Sequence, residues 1–453
     1  MRQHKTCVEL FSFYDHRGIA AHLEDQARKG WLLEKIGTWG WKYRRIEPKE
    51  VHFAVTYYPK ASVYDPGPSE QERMLQAYCA EAGWTLAASN AQMQVFYNEA
   101  SDPVPLETDA AVQVENIHAA AKRSHLPSHW ILGGLGILQM IMWLVDLLEN
   151  PVGALADYAD WFRGICWINL IALCSVELIS YYRWHKKAVR TAEESGILYP
   201  TRSHRAFQIL SLTVVLGSLL LYTASIQSRR LMTILVLSYG YIILLFLLVN
   251  GCRLLLKKLQ VSTNTNRIVT LVVDVVLAFG MMGLITWGVM KMDIQDREPV
   301  DTYEKYGIVR EVYADELPLS VEDLLDVDPA GYSKELDVSE TLMAAVYDGT
   351  QTDRGDWEVE QPNMSYRLAV SKVPALTEWC WNGWIEDYPL HGDTLVAVDP
   401  APWNAQEAYR EFFGAEFGYT WLIRWENRFV RLTAYWELTE SQMTVIAEKL
   451  CAQ

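Results

Sequence analysis

The chain has 453 residues, a formal net charge of −16 and a hydrophobic fraction of 50%. Its mean hydropathy of −0.02 would suit a soluble protein, but that average conceals segregation along the chain. From Lys291 onward 32 Asp and Glu stand against 13 Lys and Arg, a local charge of −19 that leaves +3 for residues 1–290; so acidic a region repels phosphate and excludes nucleic acid as its partner.

Residues 1–10 lack the apolar core of a signal peptide, so insertion is expected to start from the first internal apolar segment. Residues 1–109 read as a cytosolic α+β domain. A short apolar strand is predicted at 7–13, then a helix at 16–29 with Ile19, Leu23 and Ala27 on one face. Gly30 is placed to cap it. Strands follow at 31–36, 39–46 and 51–58. Pro68 and Ser69 open a second helix, with Met74, Leu75, Tyr78 and Cys79 on its apolar face. It stops at Gly83, before strands at 84–88 and 92–97. The two halves echo each other, because Gly30-Trp31-Leu32-Leu33 and Gly83-Trp84-Thr85-Leu86 each directly follow a helix. Gly supplies a left-handed turn and Trp then plugs the helix onto the sheet. The expected fold is a ferredoxin-like or similar α+β sandwich.

The run Leu23-Glu24-Asp25-Gln26-Ala27-Arg28-Lys29-Gly30-Trp31-Leu32-Leu33 resembles the opening signature of domain-of-unknown-function family 2812, in which a helix ends in Ala-x-Lys-Gly-Trp. Tyr43 through Glu47-Pro48, the second Gly83-Trp84 and Leu106-Glu107-Thr108-Asp109 are similar to its pattern, and Gln26 stands where Met is common. The resemblance covers about the first 110 residues and implies a bacterial membrane protein of a Gram-positive lineage, in a regulatory or envelope-response setting beside PadR-like regulators. It carries over no catalytic residue.

Residues 110–129 form a juxtamembrane helix and linker, with a helix predicted at 110–123. His125 and His129 stand at i, i+4, a metal-type spacing on a helix, but Pro127 between them is expected to interrupt that geometry. Five stretches then reach the roughly 20 apolar residues that a bilayer core requires: 130–148, 161–182, 206–224, 231–250 and 268–290. Aromatic residues near their ends, such as Trp130, Trp161 and Trp287, suit the interface. Lys and Arg crowd the segments after the second and fourth spans, whereas 149–160 has neither. By the positive-inside rule the N-terminus is cytosolic and the C-terminus outside; that the membrane is a bacterial plasma membrane is what the resemblance implies. Asp146, Arg163, Glu177 and Asp274 fall in or near spans, where ionisable groups are functional candidates by default. Asp146 and Arg163 lie at outer ends and are expected to pair or snorkel. Glu177 and Asp274 lie at similar depth toward the inner ends, where they either form a cation or proton site or each reach the inner interface or a loop arginine.

Beyond a charged linker at 291–310, residues 311–453 read as an acidic, Trp-rich extracytoplasmic α+β domain. Ser320 caps a short helix with Asp323 three residues on. Strands are predicted at 335–347 and 364–373, and a helix at 403–413. Tyr419, Trp421, Ile423 and Trp425 alternate, Glu426-Asn427 turns the chain, and Phe429, Leu432, Ala434 and Trp436 continue as a second strand. Thr439 and Gln442 form a capping box for a last helix at 440–451. Eight of the 18 tryptophans lie here. Trp379, Trp381 and Trp384, around Cys380, form either an exposed binding patch or part of the core. Cys380 and Cys451 would pair in an oxidising compartment if they meet.

No P-loop, dinucleotide fingerprint, zinc-protease motif, nucleophile elbow or calcium loop is present, and no cofactor or metal is implied. The expectation is a non-enzymatic envelope sensor or regulator that meets the lipid bilayer and a protein partner. The alternative is a small transporter or accessory subunit using Glu177 and Asp274.

Overall fold

A computed structural model describes residues 3–37, 40–201, 204–226, 228–291, 299–305, 308–355, 362–386, 394–413 and 416–451. The chain divides into two compact units. The first comprises Met1–Ile137, Trp167–Gly217 and Leu231–Asp293, and the second Leu138–Cys166, Ser218–Arg230 and Ile294–Gln453.

The N-terminal part of the first unit is a tandem βαββ repeat. Strand β1 (His4–Cys7), helix α1 (His16–Arg28), β2 (Trp31–Gly37) and β3 (Gly40–Arg45) make one half; β4 (His52–Tyr57), α2 (Glu70–Glu81), β5 (Thr85–Asn90) and β6 (Met93–Asn98) make the other. Each half is a three-stranded antiparallel sheet, ordered β1-β3-β2 and β4-β6-β5. The fold is therefore the α+β sandwich expected, built as two like sheets rather than the single four-stranded sheet of a ferredoxin-like unit. Gly30 and Gly83 adopt φ of 81° and 82°, so the repeated Gly-Trp motif is one backbone device used twice. The tryptophans differ. Trp84 is buried and donates from Nε1 to the Val104 carbonyl at 2.8 Å, whereas Trp31 is half-buried beneath the Lys5 and Arg45 cations. Helix α2 begins with a complete Ser69/Glu72 capping box. Of its proposed apolar face only Cys79 is buried; Met74 and Tyr78 are exposed, because the helix rests on its sheet along a narrow strip.

The first strand is three residues earlier and shorter than expected. Residues 8–15 leave the sheet because their aromatic side chains pack elsewhere: Phe13 stacks on His125, and Tyr14 meets Tyr181 and Trp184.

Helix α3 (Ala110–Ala120) passes through a π-helical turn, Ala121–His125, into α4 (Leu126–Glu149). A short α5 (Pro151–Ala156), α6 (Tyr158–Ser195), α7 (Arg205–Ser225), α8 (Arg229–Lys258) and α9 (Thr263–Lys291) follow. Among the described residues five helices are long and apolar enough to cross a membrane, and the predicted spans lie within α4, α6, α7, α8 and α9. At most 17% of any apolar window is buried inside the protein, so these surfaces require a lipid surround. The chain is a multi-pass membrane protein. In the first unit the sandwich shares one hydrophobic core with α3 and with Leu178, Tyr181, Trp184, Ala188 and Ala192 of α6. The segment before α7 and the first turn of α9 also bind the domain. Thr201 donates to Asp15, Thr263 to Asp65 at 2.7 Å, and Asn266 to the Tyr64 carbonyl at 3.0 Å.

The second unit opens with the hairpin β7 (Asp301–Lys305) and β8 (Ile308–Val312), in the stretch expected to be a linker. A seven-stranded antiparallel sheet follows, formed by β9 (Tyr332–Glu340), β10 (Ala344–Asp353), β11 (Met364–Ser371), β12 (Thr394–Ala397), β13 (Glu407–Phe413), β14 (Glu416–Arg424) and β15 (Arg428–Ala434), in the order β12-β13-β14-β15-β11-β10-β9. Helix α10 (Pro374–Glu386) and α5 cover one face, and α11 (Glu440–Cys451) the other. Alternation sorts the side chains: Leu422 and Phe429 face α10, Trp421, Ile423 and Val430 face α11. The Ser320/Asp323 and Thr439/Gln442 boxes and the 419–436 hairpin stand as expected. Two expectations are corrected. The stretch 335–347 is a hairpin turned at Thr341, which donates to the Leu155 carbonyl at 2.6 Å. The stretch 403–413 is not a helix: a short 3₁₀ turn ends at Trp403, and β13 pairs with β14 because Ala408 and Tyr409 bury on opposite faces of the sheet.

Candidate functional site

Segment 8–15, the π-turn, α6 and the start of α7 enclose a cavity of about 460 Å³ in the first unit. Glu177 lines it. The side chain is 7% exposed. Oε2 accepts a hydrogen bond from the Ser12 hydroxyl at 2.8 Å, and Oε1 lies 3.3 Å from His125 Nε2. That second contact has ion-pair distance without hydrogen-bond alignment, since both atoms lack a hydrogen-bond partner. We read it as an ion pair when His125 is protonated, because proximity rather than angle governs charge attraction. The Gln208 Oε1 facing the same cavity is also buried without a partner.

The π-turn makes this arrangement possible. Pro127 has no N–H to offer the preceding turn, and one wider turn absorbs the defect so that the helix continues. His125 and His129 consequently remain on one face, with ring centroids 4.3 Å apart, and His129 Nδ1 bonds the His125 carbonyl at 2.8 Å. The expectation that Pro127 separates them is corrected. On the other wall Glu9 is buried beside His22 at 3.0 Å, and Tyr43 donates to it at 3.1 Å. Burial would raise the Glu9 carboxyl, but the His22, Tyr43 and Arg205 groups outweigh it and hold it below the ordinary carboxylate range.

Ser12 donates directly to a carboxylate, not to an imidazole. The relay that would activate it as a nucleophile is missing. The arrangement can instead take up and release a proton, or hold the domain to α6. Among the described residues no group of three or more His, Cys, Asp and Glu is arranged to hold a metal ion.

The other candidate residues lie apart from this site. Asp274, on α9, is half-buried and is not among the described residues that line this cavity. Arg163 pairs with Asp146 at 3.1 Å and with Asp160 at 2.7 Å, as expected of an end-of-span pair. Trp381 and Trp384 are 1% and 3% exposed against Phe429, and Trp379 packs beside them, so this cluster is core and not an exposed patch. Cys380 and Cys451 are both free; burial pushes the Cys380 thiol up to about 11, which leaves it unreactive. Trp39, Arg202, Trp357, Asp387 and His391 lie outside the described residues. Sequence reasoning found Glu177 and the His125/His129 spacing separately. It had no signal for Ser12.

Residues 15–127 match the family described as protein of unknown function, DUF2812. The N-terminal domain is a DUF2812 domain. The matched segment runs from the N-cap of α1 to the first turn of α4, so the DUF2812 domain contributes His125 to the cavity, while Ser12 precedes the match and Glu177 follows it. Neither a curated protein nor a solved structure matches the chain.

Proposed function

We propose that the chain is a non-enzymatic membrane regulator whose DUF2812 domain responds to the arrangement of the spans and passes that state to a protein partner. The observation that carries this reading is the shared core: the domain's sheets and α6 bury one continuous set of side chains, with Ser12 and His125 closing on Glu177. A domain so joined cannot keep its packing while α6 moves, because cores are close-packed rather than freely deformable. The domain is cytosolic in this reading and the acidic C-terminal domain faces the cell exterior, where it senses an envelope condition.

Deleting residues 5–98 in the source cell is expected to abolish a transcriptional response to osmotic, acid or cell-wall stress while the remaining spans still insert. An unchanged response profile overturns the proposal. The transport reading keeps one supporting observation, a buried carboxylate beside a cavity on a spanning helix. Flux in proteoliposomes that is indifferent to Glu177→Gln and Asp274→Asn counts against it.

A further inference from the structure

A second cavity of the first unit, about 560 Å³, lies where strands β2 and β3 meet the last turns of α8. Lys35 and Lys42 are register partners across the two strands, so their side chains share a face. Arg253 and Lys257 stand four residues apart on α8, on one face of the helix. All four line the cavity. Lys42 is paired with Glu34 at 3.0 Å. Among the described residues Lys35, Arg253 and Lys257 form no contact ion pair with a carboxylate, although Lys257 feels the charges of Asp65 and Glu72, and Arg253 Nε is buried with no hydrogen-bond partner at all.

Two carboxylates share the cavity, and both are occupied by neutral donors. Asp65 accepts from the Ser62 backbone N–H at 2.6 Å and from Thr263 at 2.7 Å. Glu72 accepts from Gln94 at 2.8 Å and from the Ser69 backbone N–H at 3.3 Å. Burial raises the Glu72 carboxyl, which weakens it further as a counter-ion. With Lys42 taken up by Glu34, three cations face two carboxylates, and a buried guanidinium nitrogen without a partner costs free energy that only an acceptor can recover. Asn250, Ser89 and Asn90 add neutral polar groups, and among the described residues no aromatic ring lines the cavity. The cavity is lined by Asn250, the last residue of the fourth predicted span, and a span of about 20 residues ends where the headgroups begin.

We infer that this cavity binds a phosphate-bearing ligand, its anionic oxygens held by Lys35, Arg253 and Lys257. Fork geometry at Arg253 and point charges from the lysines suit a phosphomonoester or phosphodiester. The ligand would tie the first sheet of the DUF2812 domain to α8, independently of whether the domain regulates transcription.

The test uses the full chain in nanodiscs, with two probes that separate a soluble source from a lipid one. Inorganic pyrophosphate is titrated against protein in phosphatidylcholine discs, following the thermal unfolding midpoint. Retention of phosphatidylglycerol from mixed discs is read by native mass spectrometry. At least one probe is expected to bind, with affinity falling about tenfold or more in Arg253→Gln and in Lys35→Gln, as loss of a charge-assisted contact requires. Lys35 is exposed on its strand, so that variant remains informative if Arg253→Gln fails to fold. Pyrophosphate binding alone assigns a soluble ligand, and phosphatidylglycerol retention alone a headgroup. Absence of both, or equal binding by folded Lys35→Gln, overturns the inference.

Discussion

Glu177 owes its position to two residues that the sequence keeps far away, Ser12 and His125. A carboxylate on a span is legible as a candidate, because charge in an apolar run is conspicuous. Its partners are not, since nothing in the local sequence marks which loop returns to it. Glu107 illustrates the energetic consequence of burial at a second site. Its carboxyl is raised by desolvation, against a smaller opposing effect of the Thr56 hydrogen bond. A raised carboxyl contributes stability that is fully present below the unfolded value near 4.5 and is lost as pH rises through the folded value. Glu107→Gln is therefore expected to raise the unfolding midpoint at neutral pH and to flatten its decline above pH about 4.5. Tryptophan fluorescence melts across that range check it, and an unchanged slope would show that burial at Glu107 is not felt.

Among the elements, the Gly-Trp repeat was readable because its chemistry is local. A left-handed residue after a helix favours glycine wherever it occurs. Gly30 and Gly83 share that backbone, but a Cβ at Gly30 would lie 2.8 Å from the Ile46 carbonyl oxygen, while at Gly83 the nearest atom is Asn98 Nδ2 at 3.3 Å. Both alanine substitutions should cost about 1–2 kcal/mol of left-handed strain, and Gly30→Ala more, from the backbone clash. Urea unfolding of the two variants should rank them so; equal midpoints would contradict the steric account. Strand β13 was not readable. Residues 403–413 carry a pattern compatible with a helix, and only pairing with β14 selects the extended form. The π-turn was hidden for a related reason. Proline signals a helix break, but neighbouring packing held the helix together through a wider turn.

Taken as a whole molecule, each unit gathers alternate interhelix segments. The first unit binds the segments after α6 and after α8, and the second unit incorporates α5 between α4 and α6. In the topology proposed from the loop charges these two groups of segments belong to opposite sides of the membrane. A variant retaining Cys451 as its only cysteine tests the direction. Cys451 is exposed, so a membrane-impermeant maleimide is expected to label it in intact cells. Labelling only after lysis would invert the proposed topology.

The sequence by itself determined the five apolar helices, the Gly-Trp repeat with its family, the end caps and the acidic segregation. Each depends on composition, periodicity or a few adjacent residues. Tertiary structure decided which candidates meet. It joined Ser12, His125 and Glu177, sank Trp381 and Trp384 into a core, and brought Lys35 beside Arg253 and Lys257. Those outcomes depend on contacts between distant segments, and such contacts are set by how whole faces pack rather than by any motif.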